Sequence, residues 1–445
     1  MACGYLAITE GESMGKIFVN IIRKSMKISF KIHFMGKLLI LMICLSLLSS
    51  CASISSNKGS SVIDIASSVN KGAIYKASDF IKSIRYVPLE MTEASALGYV
   101  TNVVVEQEKI YVNDGRPVIH IFDINGAYLQ TFGRQGRGPG EYLHISGFTV
   151  NEAGHLFILS QSQGVFEYDT NLSYVRRISP TMEPSPSFSD VITPKEGLFA
   201  SNIFYVNWEL GEIKEDWVMY DSTAVQHTYN ASIQSFDPST GSFRAYQFAQ
   251  YVYKNILNIY RIGNDTIFRV DYEKQFERMP RYILNYGKYC LTEEFYHKND
   301  DIPNTAELIS LREVFETDQY LFMGFNFRGL APEVFTPERK RRVQPGGFTM
   351  ITGGRPNTQV YAVYHKHTGL ISVLNHPAPQ TLGLKDDIAN GIAFWPMRIS
   401  AAQELIAWHD AADLLLLVEE GKMDKDLVKN LKEDDNPVVL IAVPK

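Results

Sequence analysis

A glycine-rich run that directly follows a predicted β-hairpin is the feature that most constrains how this chain folds. The run covers residues 131–142, with the sequence TFGRQGRGPGEY. Before it, two short strand-like segments, residues 118–123 and 127–130, flank Asn125-Gly126. Asn-Gly is the strongest short-range signal for a two-residue hairpin turn. A hairpin followed by a glycine-rich crossing is how a β-propeller can pass from one blade to the next.

The same pattern recurs one unit further along the chain. Residues 110–112 (IYV) and 157–159 (FIL) lie about 47 residues apart, and residues 164–169 repeat the pattern of residues 118–123. One four-stranded propeller blade has about this length. The sequence therefore predicts an all-β fold, a β-propeller that spans residues 80–445 and carries short helical insertions.

Strand patterns continue through most of the remaining chain. Residues 84–89 predict an edge strand, because Pro88 has no N–H to donate to a neighbouring strand. Residues 305–315 have apolar side chains at helical spacing, and the charged residues 424–432 predict a second short helix. Residues 179–187 contain three prolines and form a candidate linker, although a loop between blades is the simpler interpretation.

The N-terminal part predicts a signal peptide. Lysines precede an apolar run at residues 38–48, which is followed by Ser49-Ser50-Cys51. A run of about 11 residues is too short to span a bilayer as a helix, which needs about 20, but it has the size of a signal-peptide core. Leu48-Ser49-Ser50-Cys51 also resembles the bacterial lipobox, which predicts lipid attachment at Cys51. The alternative is a signal peptide cleaved elsewhere, with Cys51 an ordinary thiol.

The lipobox predicts three regions. Residues 1–50 form a signal-peptide region that is removed, and residues before Met26 or Met35 can come from an overextended start site. Residues 51–79 form a lipidated tether, whose polar composition from Ser53 to Ser61 predicts flexibility. The propeller follows.

Composition narrows the classes of partner and cofactor. The formal net charge is -6, so no basic surplus points to nucleic acid. The mature chain keeps only Cys51 and Cys290, and the sequence has no Cys-x-x-Cys pair for a zinc or redox site. We predict no metal and no cofactor.

Several segments together resemble a known family. Residues 132–142 resemble the joint between NHL-type repeats, and residues 264–268 (NDTIF), 387–391 (DIANG) and 394–396 (FWP) extend the match. With the lipobox and the DNPV sequence near the C-terminus, they resemble the six-bladed β-propeller lipoproteins of Bacteroidetes. This resemblance implies a six-bladed fold and a lipid-anchored location in the cell envelope. Because no acidic cluster directly follows Cys51, it favours the periplasmic side.

The glycine-rich loop also supplies candidate binding residues, namely Arg134, Arg137, Glu141 and Tyr142. Glycines permit positive φ and close backbone approach, and the two arginines can pair with an anion. No Gly-Lys-Ser/Thr follows, so the loop is not a phosphate-binding P-loop. A blade-to-blade connection whose glycines serve the turn is the alternative.

Two polar clusters are weaker candidates for metal ligation. His365 and His367 would share one face of a strand, and Asp386 and Asp387 could ligate calcium. A hairpin turn near residues 366–369 explains the histidines equally well, and an Asx-type turn is the simpler explanation for the aspartates with Asn390-Gly391.

Large aromatic side chains could form a platform for sugars or peptides, although most are expected to lie in the core. The candidates are Tyr205, Trp208, Trp217, Tyr251, Tyr253, Trp395 and Trp408.

Three functions remain open at this stage. The first is a membrane-tethered binding protein that recognises a glycan, peptide or partner protein of the envelope through the propeller face. The second is a calcium-dependent, lactonase-like propeller hydrolase or lyase. The third is a structural component of an envelope complex. The mature chain has no nucleophile in a recognisable setting, so binding is favoured over catalysis.

Overall fold

The computed structural model describes most of the chain after residue 60. It covers residues 61–160, 163–178, 187–195, 198–220, 226–229, 233–235, 238–240, 248–272, 274, 277–292, 295, 302–343 and 349–445. The predicted signal peptide, the lipobox with Cys51 and residues 179–186 of the candidate linker lie outside these residues. In the described part, no helix is long and apolar enough to cross a membrane.

The N-terminal segment contributes two strands and a short helix. They are β1 (Ser61–Asp64), a 3-10 turn (Ala66–Ser68), α1 (Ala77–Phe80) and β2 (Ile81–Pro88). Ile63 and Ile65 are fully buried. β1 lies within residues 51–79, the region predicted as the lipidated tether, and it pairs with a strand of the folded part.

Five sheets each take their antiparallel strands from one continuous stretch of the chain, and we name them blades 1 to 5. Blade 1 contains β3 (Asn102–Glu106), β4 (Lys109–Asn113), β5 (Ile119–Asp123) and β6 (Tyr128–Phe132). Blade 2 contains β7 (Gly147–Val150), β8 (Leu156–Ser160), β9 (Gly164–Tyr168) and β10 (Tyr174–Ile178). The predicted hairpin and the predicted blade repeat are both confirmed, since β4 and β8 are the second strands of consecutive blades.

The middle blades follow the same plan. Blade 3 contains β11 (Ser187–Lys195), β12 (Leu198–Asn207), β13 (Glu212–Tyr220), β14 (Gln226–Tyr229) and β15 (Ile233–Ser235). Blade 4 follows a 3-10 turn (Pro238–Thr240) and contains β16 (Phe248–Tyr253), β17 (Ile256–Arg261), β18 (Thr266–Asp271) and β19 (Glu277–Asn285). β1 joins blade 4 as a parallel edge strand beside β19.

Blade 5 carries an inserted two-stranded ribbon. After a 3-10 turn (Gly287–Tyr289), its chain order is β20 (Ser310–Glu316), β21 (Tyr320–Asn326), a 3-10 turn (Arg328–Leu330), β22 (Lys340–Val343), β23 (Thr349–Thr352), β24 (Gln359–His365) and β25 (Ile371–Val373). β22 and β23 pair with each other, whereas β21 pairs directly with β24. We call β22 and β23 the ribbon.

One further sheet combines the two ends of the described chain. It contains β26 (Arg398–Ile399), β27 (Leu405–His409) and β28 (Val438–Pro444), with α2 (Ala411–Glu419) and a 3-10 turn (Lys425–Val428) between the last two strands. β2 completes it by pairing with β28 at the outer edge, as predicted for an edge strand. We call it the closing sheet. The fold is thus propeller-like, with five blades of local strands, one fewer than the six predicted.

The sheets form a ring through their first strands. β3 contacts β7, β7 contacts β11, β11 contacts β16, β16 contacts β20, and β26 contacts β3. Between blade 5 and the closing sheet, the backbone N–H of Asp318 donates to the Gln403 side chain at 2.8 Å. The apolar core therefore lies between neighbouring sheets, where both faces of the middle strands are buried.

The predicted helices differ from the observed ones. Residues 310–316 form β20 rather than a helix. A register shift between Leu311 and Glu313 interrupts the alternation of apolar and polar side chains in this strand, so the apolar spacing resembles that of a helix. In the charged segment, only Lys425–Val428 is helical, as a 3-10 turn. The longest described helix, α2, was not predicted.

Candidate functional site

The glycine-rich loop folds back on itself between blade 1 and blade 2. The Tyr142 N–H donates to the Arg134 carbonyl at 2.9 Å, and the Gly136 N–H donates to the Tyr142 carbonyl at 3.1 Å. The Gly138 N–H donates to Oε2 of Glu141 at 2.8 Å. The loop is therefore a compact connector between blades.

Its candidate binding residues divide into two groups. Tyr142 is fully buried, and burial raises its pKa to about 12. Glu141 is engaged within the loop, and a Cβ at Gly136 would clash with its carboxylate. Arg134 and Arg137 are exposed. An anion-binding role for these two arginines stays a prediction.

Long segments collect at one end of the ring. Each blade has four antiparallel strand positions, because β14 and β15 of blade 3 pair with successive parts of β13 and β1 is an added edge strand. Connections between blades therefore lie at the same end as connections between second and third strands. The fully described long segments at this end are 89–101, 133–146, 374–397 and 410–437. The opposite end carries short turns such as residues 107–108 and 317–319. We call the first end the insertion face.

A cavity of about 1170 Å³ opens on the insertion face beside blade 5. Its walls come from the inner strand β20, the ends of β21 and β24, and the base of the ribbon. Most of its lining is polar: Asn304, Arg312, Glu313, Asn326, Arg339, Arg355, Asn357, Thr358 and Gln359. None of the four residues predicted from the glycine-rich loop lines it. We call it the arginine cavity.

Backbone pairing brings two of the arginines to this cavity. The Asn357 N–H donates to the Phe335 carbonyl at 2.7 Å, and the Gly354 N–H donates to the Pro337 carbonyl at 2.8 Å. Gly353 and Gly354 both have φ +72°, and a Cβ at Gly353 would clash with the Glu338 carbonyl. The two glycines therefore permit the sharp return of the chain that sets Arg339 beside Arg355.

A buried arginine anchors the other side of the ribbon base. Arg328 donates from Nη1 to the Leu308 carbonyl at 3.1 Å and to Ser310 Oγ at 3.4 Å. The neighbouring Gly329 N–H donates to the Ala306 carbonyl at 3.0 Å. These bonds fix the segment that delivers Asn304 to the cavity.

Glu313 is the carboxylate among the lining residues. Burial raises its pKa, while a hydrogen bond from Trp395 and the charges of Arg398 and Arg312 oppose the rise. The Trp395 indole N–H donates to Oε1 of Glu313 at 3.1 Å. Trp395 also stacks on Tyr361, with ring centroids 4.0 Å apart. The cavity thus holds a carboxylate that is protonated more readily than an ordinary one.

A second perturbed carboxylate lies at the opposite end of the ring. Burial, helped by the nearby carboxylates of Glu152 and Glu404, raises the pKa of Glu106 to about 7. The Ala401 N–H, which donates to Oε1 at 2.6 Å, opposes the shift. Between the ordinary pKa of 4.5 and about 7, the folded protein holds a proton that the unfolded chain has released.

Stability contributed by Glu106 is therefore present at low pH and lost as the pH rises through 7. Glu106→Gln keeps an acceptor for Ala401 and removes the charge. We expect this variant to match the wild type near pH 4 and to be more stable by about 2 kcal/mol at pH 8, after allowance for partial exposure. Urea unfolding at both pH values measures the difference. Equal stability at pH 8 would refute the assignment.

The turn interpretations of the polar clusters are confirmed. Nδ1 of His365 accepts the N–H groups of His367 and Thr368, both at 3.2 Å. The Asp386 carboxylate accepts the Ile388 N–H at 3.0 Å and the Tyr86 hydroxyl at 2.9 Å. Among the described residues, no group of three or more His, Cys, Asp or Glu side chains is arranged to hold a metal ion.

Among the predicted platform residues whose side chains the structure describes, all but Trp208 are buried or pack against the core. Tyr251 and Trp395 are buried, and Trp408 packs against the core around Val439. Trp208 is 48% exposed in the turn between β12 and β13. The side chains of Tyr205 and Trp217 lie outside the described residues.

The family model that matches this chain covers nearly all of the folded part, from residue 60 to residue 443. Its description is "Domain of unknown function (DUF4934)". The chain belongs to the DUF4934 family. The match begins one residue before β1, which agrees with a folded part that includes the N-terminal segment.

Two solved structures are similar to this DUF4934 chain. A Bacteroides fragilis protein described as a "putative exported protein" has 17% identity and a TM-score of 0.57, over 86% of this chain and all of that one. The β-propeller domain of Cps50 (Swd1) from Myceliophteria thermophila has 10% identity and a TM-score of 0.33, over 66% of this chain and 89% of that one. The first likeness supports the fold. No curated protein matches this chain.

Proposed function

We propose that this DUF4934 protein is a lipid-anchored binding protein of the cell envelope whose ligand occupies the arginine cavity. The observation that carries the proposal is the cavity itself, a large polar recess at the end of the ring where the long segments collect. Loops held on a rigid scaffold are a common place for binding residues. We also propose that the closing sheet serves as the sixth blade of the propeller.

Two features support the location. The sequence before residue 52 combines a signal-peptide core with a lipobox at Cys51. The Bacteroides fragilis protein of similar fold is described as a "putative exported protein". Both fit a protein that works outside the cytoplasm and is held there by a lipid on its N-terminal cysteine.

The cavity lining favours binding over hydrolysis. Glycoside hydrolysis ordinarily uses two carboxylates about 5–9.5 Å apart, whereas Glu313 stands among three arginines and several amides in the lining. Arginine, amide and hydroxyl groups hold polar ligands by hydrogen bonds.

A steric block tests this function. Arg355→Trp would fill part of the cavity mouth, and Asn171→Trp adds the same bulk at an exposed turn between β9 and β10. Against a panel of oligosaccharides and peptides, we expect saturable binding by the wild type and Asn171→Trp, and at least tenfold weaker binding by Arg355→Trp. Binding unaffected by Arg355→Trp, or no binding to any member of the panel, would contradict the proposal.

A further inference from the structure

We propose that the ligand of this site is an anionic polysaccharide, whose carboxylate or sulfate groups pair with the arginines of the cavity and of the ribbon. This inference rests on the proposed binding function and adds the chemical class of the ligand.

The cavity carries a local excess of positive charge. Three arginines, Arg312, Arg339 and Arg355, line one recess with one carboxylate, although the whole chain has a net charge of -6. Among the described residues, no ion pair includes Arg339 or Arg355. Guanidinium groups bind carboxylate and sulfate oxygens through paired, charge-assisted hydrogen bonds. The recess therefore suits a ligand with more than one negative group.

The positive charge continues along the ribbon. Residues 339–342 read Arg-Lys-Arg-Arg, and the exposed Arg341 is two positions beyond Arg339. The ribbon pairs with no other described sheet. The exposed Arg341 therefore continues the positive charge of Arg339 along an extended element, which fits an extended polymer better than a single small anion.

The size of the recess agrees with a polymer. Pockets that hold drug-sized molecules measure about 300–1,000 Å³, and the arginine cavity measures about 1170 Å³. It opens onto the ribbon base, so a chain longer than the cavity has a path outward over Arg339 and Arg341.

The remaining lining favours sugar over peptide or nucleic acid. Four amide side chains line the cavity, from Asn304, Asn326, Asn357 and Gln359, and they offer donors and acceptors for hydroxyl groups.

Peptides are usually anchored by apolar side chains in apolar pockets, yet Phe325 is fully buried and the other apolar lining residues are Pro337 and Pro356. Single-stranded nucleic acid is held by exposed stacking aromatics, and none stands among the lining residues.

Glu313 adds a pH dependence to the same site. Its neighbours are Arg312 on its own strand, Arg398 on β26, and the hydroxyls of Tyr361 and Tyr260. When the pH falls and Glu313 takes up a proton, repulsion of an anionic ligand disappears and binding strengthens. Glu313→Gln keeps the acceptor for Trp395 and removes the charge. We expect this variant to bind more tightly at pH 8 and to show a flatter pH profile than the wild type.

The test compares binding of the mature chain to five probes by calorimetry. They are polygalacturonate, dextran sulfate, neutral dextran, poly-glutamate and single-stranded DNA. We expect the wild type and the exposed-strand control Arg177→Glu to bind at least one acidic polysaccharide, with affinity that falls as salt rises. Arg339→Glu with Arg355→Glu should weaken this binding at least tenfold at an unchanged melting temperature.

Each other outcome has a distinct meaning. Saturable binding of neutral dextran alone would overturn the anionic class and leave the binding function standing. Poly-glutamate or DNA bound as tightly as the acidic polysaccharides would overturn the choice of a glycan. Acidic polysaccharide binding that survives the double charge reversal would remove the cavity as its site. No binding to any of the five probes would overturn the inference. Binding of another oligosaccharide or peptide from the panel described under the proposed function would still preserve that function.

Discussion

Glu316→Ala is expected to destabilise the protein by about 3–5 kcal/mol, because it removes the anion from a buried charge cluster. The Glu316 side chain is fully buried at the end of β20. Its carboxylate pairs with Arg281 and Lys366, the latter at 2.7 Å, and accepts the Tyr251 hydroxyl at 2.9 Å. The variant would leave two buried or half-buried cations without their shared anion, between blades 4 and 5.

The matched control is an exposed carboxylate two residues further along. Asp318 pairs with Lys254 at 2.9 Å, but both side chains are more than half exposed. Asp318→Ala should therefore cost less than about 1 kcal/mol. Urea unfolding of both variants at pH 7 measures the two effects. A Glu316→Ala protein within 1 kcal/mol of the wild type would show that the cluster contributes little to stability.

Removal of residues 61–88 is expected to abolish cooperative folding, because this segment supplies the outer strand of the closing sheet. The lost segment includes six large apolar side chains that are buried in three core clusters: Ile63, Ile65, Val69, Phe80, Ile81 and Val87. Burial of such a side chain contributes about 1.5–3 kcal/mol, so the sum is about 10 kcal/mol. This is comparable with the whole stability of an ordinary domain, about 5–15 kcal/mol.

A shorter truncation separates the two N-terminal strands. A chain that begins at Ala66 loses β1 but keeps β2, so we expect it to fold with a lower melting temperature. A chain that begins at Leu89 should be protease-sensitive and lack a melting transition, and an added peptide of residues 60–88 should restore part of the fold. If the chain from Leu89 melted like the wild type, the fold would not depend on β2 as the outer strand of the closing sheet.

The local signals of the sequence predicted local structure well. Asn125-Gly126 predicted its hairpin because the turn type depends on those two residues. Pro88 predicted an edge strand because proline has no backbone N–H with which to form a hydrogen bond to a second neighbouring strand. The helix predicted at residues 305–315 was wrong, because apolar spacing cannot distinguish a helix from a bulged strand that is buried on both faces.

The candidate site was less accessible to sequence reasoning. Arg312 and Arg355 are 43 positions apart in the sequence but line the same cavity. The ribbon at whose base Arg355 lies is inserted between β21 and β24, which pair with each other. The basic run at residues 339–342 was a local signal for this surface. The sequence instead favoured the glycine-rich loop as the binding site, because its two arginines lie within a recognisable glycine-rich motif.

The most direct test is the position of a bound acidic oligosaccharide in a crystal structure of the mature protein. We predict that it lies in the arginine cavity, with its anionic groups against Arg312, Arg339 and Arg355. A ligand found at the loop of Arg134 and Arg137, or on the opposite face of the ring, would contradict the account.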